Sequence, residues 1–153
     1  MNLRLRKAGI RDLPAFLSLE KEASGTKLYS SIFAKRRWMN VFQWIHALNR
    51  SKVYFIELDD QLVGKVAYER DGYDHGYIKG LVVRHQFQHR GIGREAMQMI
   101  LDKLEAVKKI ELVTHPKNIP AIKLYESLGF HIESEIENYF GDGEPRVRMV
   151  LEK

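Results

Sequence analysis

A chain of 153 residues that is 44% hydrophobic and 29% charged has the size and balance of one domain with its own core, and the expected domain spans residues 1–153. The absence of cysteine excludes disulfides, a thiolate nucleophile and cysteine-ligated zinc or iron–sulfur centres, and no metal site is expected. Lys plus Arg number 25 against 20 Asp plus Glu, a net charge of +5 that suits an anionic partner without requiring one. Apolar runs such as Leu81-Val82-Val83 fall far short of the roughly 20 residues of a membrane-spanning helix. The first residues carry charge from Arg4 onward and lack an apolar leader, so a cytoplasmic location without membrane contact is expected.

Leu3 and Leu5 alternate with Arg4 and Arg6, which predicts a strand, and an amphipathic helix follows from near Asp12. Leu13, Phe16, Leu17, Leu19 and Glu20 mark its inner face, and Ser24-Gly25 ends it. A second helix is predicted over Ser30–Asn49, with Trp38, Val41, Phe42, Ile45 and Leu48 as a core stripe and Arg36 and Arg37 on the polar side. Val53–Leu58, Leu62–Glu69 and Tyr77–Val83 read as three strands joined at Asp59-Asp60 and Asp71-Gly72, hence antiparallel neighbours. Ile92, Ala96, Ile100 and Leu104 recur every four residues within a helix predicted over Gly91–Val107. Lys109–Thr114 is a strand, Asn118–Leu128 a helix closed by Gly129, and Phe130–Tyr139 with Arg146–Glu152 a final strand pair around Gly141-Asp142-Gly143. The order is β, α, α, β, β, β, α, β, α, β, β. The expected fold is α/β with a mixed sheet of about seven strands, antiparallel at its N-terminal part and parallel across Tyr77–Val83 and Lys109–Thr114.

The segment from Leu81 to Arg94 leaves a strand, crosses a basic loop and enters a helix. Gly91 and Gly93 remove side chains where an anion can approach the first unbonded amides of that helix. Arg84, His85, His89, Arg90 and Arg94 gather around it. Gly91-Ile92-Gly93-Arg94-Glu95-Ala96 also fits a dinucleotide fingerprint with Glu111 as ribose acid, the basis of an alternative as an NAD-dependent oxidoreductase. Seven residues, Arg84 to Arg90, separate that glycine from its strand, whereas the fingerprint begins almost at the strand end. A second alternative, a basic nucleic-acid-binding module, fits poorly because the cations gather at one loop, so no nucleic-acid partner is expected.

Gln88-His89-Arg90-Gly91-Ile92-Gly93 resembles the Gln/Arg-x-x-Gly-x-Gly/Ala loop of the GNAT acyl-CoA-dependent N-acetyltransferases. Asn118-Ile119-Pro120-Ala121-Ile122-Lys123-Leu124-Tyr125-Glu126-Ser127-Leu128-Gly129-Phe130 resembles that family's Asn-x-x-Ala-x-x-Leu-Tyr-x-x-x-Gly-Phe segment. The resemblance covers nearly the whole chain and implies helices on both sheet faces and acetyl-CoA as co-substrate. It implies that the amides from Gln88 to Arg94, Ile92 among them, hold the pyrophosphate and that pantetheine pairs with the edge of Leu81, Val82 and Val83. Asn118 would then contact the cofactor arm, and amides at Leu81 or Val83 would face the thioester oxygen.

By the same resemblance Tyr125 protonates the leaving thiolate, which suits a phenol with an ordinary pKa of about 10. Many family members carry a Glu near the position of Tyr77, so this chain departs from the pattern there. Tyr77 resembles a tyrosine of one protein N-terminal acetyltransferase branch, while Glu69, His75 and His115 are further ionisable groups able to work through water. The segment Glu137 to Glu144 with Arg146-Val147-Arg148-Met149 resembles the ribosomal-protein alanine acetyltransferase branch, in which this hairpin lines the acceptor groove. Asp142 and Glu144 are candidates to steer a cationic amine or simply to solvate the turn. The expected partner is an amine-bearing small molecule or protein N-terminus, with a homodimer as a possible assembly.

Overall fold

The computed structural model describes residues 2–24 and 40–153. Its elements are β1 (Leu3–Lys7), α1 (Leu13–Ser24), α2 (Val41–Arg50), β2 (Lys52–Leu58), β3 (Gln61–Asp71), β4 (His75–Val83), α3 (Ile92–Lys103), β5 (Lys109–Thr114), α4 (Ile119–Ser127), β6 (His131–Ile136) and β7 (Arg146–Glu152). The seven strands form one sheet in the order β1-β2-β3-β4-β5-β7-β6, with β4 and β5 the parallel pair. The type and order of these eleven elements match the expectation. The insertion of β7 between β5 and β6 is supplied by long-range pairing alone.

Helices cover both faces. Phe16 and Leu19 of α1 and Trp44 and Ala47 of α2 pack on Val53, Phe55 and Ala67. On the other face Ile92, Ala96, Met97, Ile100 and Leu101 of α3 pack on Ile56, Val66, Ile78 and Ile110, joined by Tyr125 of α4. Strand alternation separates the two cores: Phe55 serves one and Ile56 the other. Asp59 and Asp60 take positive φ (49° and 67°), as a tight two-residue hairpin turn requires.

Three boundaries differ from the sequence reading by more than two residues. Helix α2 begins at Val41, where Asn40 and Gln43 form a reciprocal cap, and the predicted helical stretch before it, with Arg36, Arg37 and Trp38, lies outside the described residues. Phe42, expected in the core stripe, is 83% exposed, because it lies nearly opposite the face that buries Trp44 and Ala47. Helix α3 stops at Lys103, although Leu104 and Val107 remain fully buried, so apolar periodicity outlasts the helix. The Lys153 ammonium donates to the carbonyls of Leu104 and Glu105 at 2.8 and 3.2 Å and caps that end. Strand β6 ends at Ile136, not Tyr139, because Asn138 turns with φ 50° and accepts from the Gly143 amide at 2.7 Å. Among the described residues no helix is long and apolar enough to cross a membrane.

At the β1 edge Arg6 binds Asp12 through two hydrogen bonds of 3.0 Å and Glu57 through one of 2.7 Å, while Arg4 reaches Glu57 at 2.8 Å. The Arg6 bonds hold the Asp12 carboxyl below its ordinary value against the opposing effect of burial. Burial pushes Glu57 up, but Arg6 and Arg4 outweigh it and the net shift is also downward. Both groups bind a proton less tightly folded than unfolded, so their stabilisation is complete above unfolded pKa values of about 4 and is lost as pH falls through the folded values. The expected result is a melting temperature that is level from pH 7 to about 5 and drops below about 4, with a shallower acid slope in Arg6→Gln. Circular dichroism melts across that pH range check both.

Candidate active site

Beyond Tyr77 the central strands separate. Pairing of β4 with β5 consists of His75↔Lys109, Gly76↔Ile110 and Tyr77↔Glu111 and then stops, while β5 continues along β7 and β4 along β3. Opposite β3 the register slips: Ala67 faces Gly80 and Tyr68 faces Ile78, leaving Lys79 as the extra residue of a bulge. A bulge adds local twist, and Gly80 accommodates it with φ 151°. From Ile78 to Val83 the β4 edge toward β5 therefore has no strand partner among the described residues. A cavity of about 490 Å3 opens there, lined by Ile78 to Leu81, Val113 to His115, Asn118, Leu124 and Tyr125, with Glu69, Tyr77, Tyr139 and Phe140 also on its wall.

The glycine loop lies next to this opening. Gly91 is the N-cap of α3, with φ 80° and no side-chain cap, so the first amides of the helix have no intrahelical acceptor. A left-handed N-cap without a side chain is the reason for glycine at 91. Gly93 serves differently: a Cβ there would sit 3.4 Å from Leu81 and 3.6 Å from Leu124, both on the cavity wall. Gln88 donates to the Val83 carbonyl at 2.9 Å and ties the loop to the end of β4. His89 takes a left-handed φ of 61°, Arg90 stacks 5.5 Å over Phe87, Ile92 is buried in the core, and Arg94 bonds to Ser127 Oγ.

Arg84 does not join this cationic cluster. Its guanidinium binds Glu22 of α1 at 2.7 Å and the Leu62 carbonyl at 3.2 Å, and the other Glu22 oxygen accepts from the His85 amide at 3.2 Å. The carboxylate on the far side of β3 claims this charge before any phosphate can.

Of the predicted residues, Leu81, Asn118, Tyr125 and Tyr77 line the cavity, whereas Val82 is buried and lies outside its wall. Asn118 also caps α4 through Ala121 N–H at 3.4 Å, which anchors the start of the helix that carries Tyr125. Tyr125 is 8% exposed and packs its ring 6.0 Å from Phe130. Tyr77 shares a hydrogen bond of 2.9 Å between hydroxyls with Tyr139, a contact that no spacing within one segment reveals. Burial first, and then that bond, raise the Tyr77 pKa well above its ordinary value, so this phenol holds its proton at neutral pH.

The remaining ionisable candidates are already engaged. His115 accepts the Lys117 amide on Nδ1 at 3.1 Å, which leaves the proton on Nε2 to donate to Glu144 at 2.9 Å. His75 contacts Glu111 at 2.6 Å and lies outside the cavity wall. Asp142 accepts from Arg146 at 2.6 Å, so the two hairpin acids tie residues 137–145 to Arg146 and His115. The His115 hydrogen bond is also the chief reason why the Glu144 pKa is lowered. Glu69 accepts from Ser51 Oγ at 2.8 Å and from the Lys79 ammonium, both on Oε1.

Comparison with known proteins places this arrangement. Residues 17–130 match the model of the Acetyltransferase (GNAT) family. The chain is 39% identical over 70 residues to UPF0157 protein YqkA of Bacillus subtilis (strain 168), an overlap of 46% of this chain and 20% of that protein. It is 29% identical over 126 residues to N-alpha-acetyltransferase 30 of Dictyostelium discoideum, covering 79% of this chain and 64% of that one. The chain thus spans a fifth of the first relative's length and under two thirds of the second's. It is 26% identical over 146 residues to the ribosomal protein bS18-alanine N-acetyltransferase of Escherichia coli (strain K12), covering 92% of this chain and 88% of the relative. The crystal structure of the ribosomal-protein-S18-alanine N-acetyltransferase from Escherichia coli superposes with a TM-score of 0.77 at 22% identity, covering 99% of this chain and 94% of that one.

Proposed function

The chain belongs to the Acetyltransferase (GNAT) family, and from that premise we propose that it transfers the acetyl group of acetyl-CoA directly to the α-amine of a protein N-terminus, both substrates being bound together. The observation that carries this reading is the parting of β4 from β5 beside the uncapped start of α3. An extended amide-bearing arm fits an unpartnered strand edge, and a diphosphate fits bare helix amides, so the residues suit acetyl-CoA. Acetyl-CoA supplies an activated acyl thioester.

The amides of Gln88 to Arg94 hold the phosphates, and Arg90 adds positive charge. The edge at Leu81 to Val83 pairs with the pantetheine amides and offers an N–H to the acyl oxygen, where a donor lowers the barrier by on the order of 3 kcal/mol. Asn118 and Leu124 line the arm's path. Tyr125 gives its phenolic proton to the departing sulfur. Tyr77, kept protonated and bonded to Tyr139, positions the acceptor amine, which loses its proton to water. Names of relatives that act on protein N-termini support the α-amine as acceptor. The oxidoreductase alternative finds no support here, since Glu111 is held by His75 at 2.6 Å and residues 84–90 separate the end of β4 from Gly91.

The test is release of CoA from acetyl-CoA with a panel of N-terminal peptides, lysine-containing peptides blocked at the α-amine, polyamines and aminoglycosides. The expected result is that N-terminal peptides exceed every other class in kcat/KM by at least about tenfold. A polyamine or aminoglycoside at the head of the ranking overturns the acceptor and leaves the cofactor site standing.

A further inference from the structure

Inside the cavity wall stands an ion pair that the transfer chemistry above does not use. Glu69 and Lys79 lie on neighbouring strands, and the Lys79 ammonium reaches Glu69 Oε1 because the bulge of β4 inserts Lys79 as an extra residue. Their side chains are only 20% and 13% exposed, so both charges are largely out of water. Such a pair returns little net stability against its desolvation, so stability alone does not account for it. Ser51, at the end of α2 and 3% exposed, holds the same Oε1 at 2.8 Å. Glu69 Oε2 takes no hydrogen bond among the described residues, and Lys79 uses one of three N–H groups. The wall thus presents an acceptor and a donor side by side, next to Tyr77, which is the register partner of Glu69.

From this we infer that Glu69 and Lys79 together read the α-amine of the acceptor, Glu69 Oε2 accepting from its ammonium and Lys79 donating to the first carbonyl oxygen of the peptide. The inference rests on the N-terminal reading above and deepens it. An α-amine carries a carbonyl on the adjacent carbon, so it satisfies both poles at once. A lysine ε-amine or an alkylamine satisfies only Glu69 and leaves Lys79 without that partner. The pair is therefore the element that separates α-amines from other primary amines. The fixed Oε1 matters because a carboxylate held by two donors from β4 and α2 meets the ammonium without first losing rotamer freedom.

The experiment measures binding of a free-N-terminus hexapeptide and of an alkylamine of matching length to the CoA-saturated protein by calorimetry, together with turnover. Glu69→Gln is expected to weaken both ligands at least tenfold. Lys79→Met is expected to weaken the peptide at least tenfold and the alkylamine less than twofold. The deciding variant exchanges the poles: Glu69→Lys combined with Lys79→Glu keeps an ion pair, so a merely structural role predicts unchanged peptide binding. Loss of peptide binding in the exchanged variant, with the CoA-dependent rise in melting temperature intact, supports the inference. Peptide binding within twofold of the parent in that variant overturns it, as does an equal loss of peptide and alkylamine in Lys79→Met. Absence of peptide turnover in the parent protein with these binding effects intact counts against the proposed reaction and not against the recognition pair.

Discussion

Gly91→Glu is expected to abolish the rise in melting temperature that acetyl-CoA produces in the parent protein. At a hundred times Kd, ligand binding stabilises by about 2.7 kcal/mol, which in a domain of this size is a shift of roughly 5 to 10 °C. Two costs fall on the variant. Residue 91 sits at φ 80°, where any side chain is strained by on the order of 1–2 kcal/mol. A carboxylate also enters the space before the first α3 amides, where a diphosphate is to sit, and occupies their donors itself. Among the described residues no heavy atom lies within 4 Å of a Cβ built at Gly91, so the substitution overpacks none of them and the folded state persists. Gly91→Ala separates the two effects: it carries the strain without the charge, so it lowers the melting temperature of the free protein and keeps most of the ligand shift. Differential scanning fluorimetry with and without acetyl-CoA reads both. A full ligand shift in Gly91→Glu rejects the phosphate cradle.

Tyr125→Phe is expected to lower kcat by a factor of about 10² to 10⁴ while leaving the Kd for acetyl-CoA within twofold. The phenyl ring preserves the packing on Phe130 at 6.0 Å and the burial of this site, so the loss is confined to the hydroxyl. A residue that only filled the core would give the opposite pattern: little change in kcat for Phe, and loss of stability for Tyr125→Ala by about 3 kcal/mol or more. Single-turnover kinetics with saturating acetyl-CoA and the best peptide acceptor distinguish chemistry from product release. An unchanged single-turnover rate removes Tyr125 as the proton donor.

Much of this molecule is legible in its sequence because the relevant signals are local. The alternation of Leu3 and Leu5, the spacing of Ile92, Ala96 and Ile100, and the turn at Asp59-Asp60 each depend on residues within one or two turns of one another. The loop at Gly91 is equally local, since a left-handed N-cap selects glycine whatever the rest of the chain does. Misreadings arise where local pattern and global packing diverge. Phe42 shares the apolar character of its neighbours but not their face, and Leu104 and Val107 stay buried after the helix that predicts them has ended.

What the sequence by itself determined is the set of elements, their order, the mixed sheet and the two motif segments that hold Gly91 and Tyr125. The tertiary structure alone decided that β7 lies between β5 and β6, that Lys79 bulges and aims its ammonium at Glu69, and that Arg84 is taken by Glu22 instead of the anion loop. It also brought Tyr139 onto Tyr77 across 62 residues and locked His115 to Glu144. The physical reason is the same in each case. Helices and tight turns are fixed by neighbours along the chain, whereas register, bulges and side-chain partnerships are fixed by which distant strands meet, and no spacing within one segment records that choice.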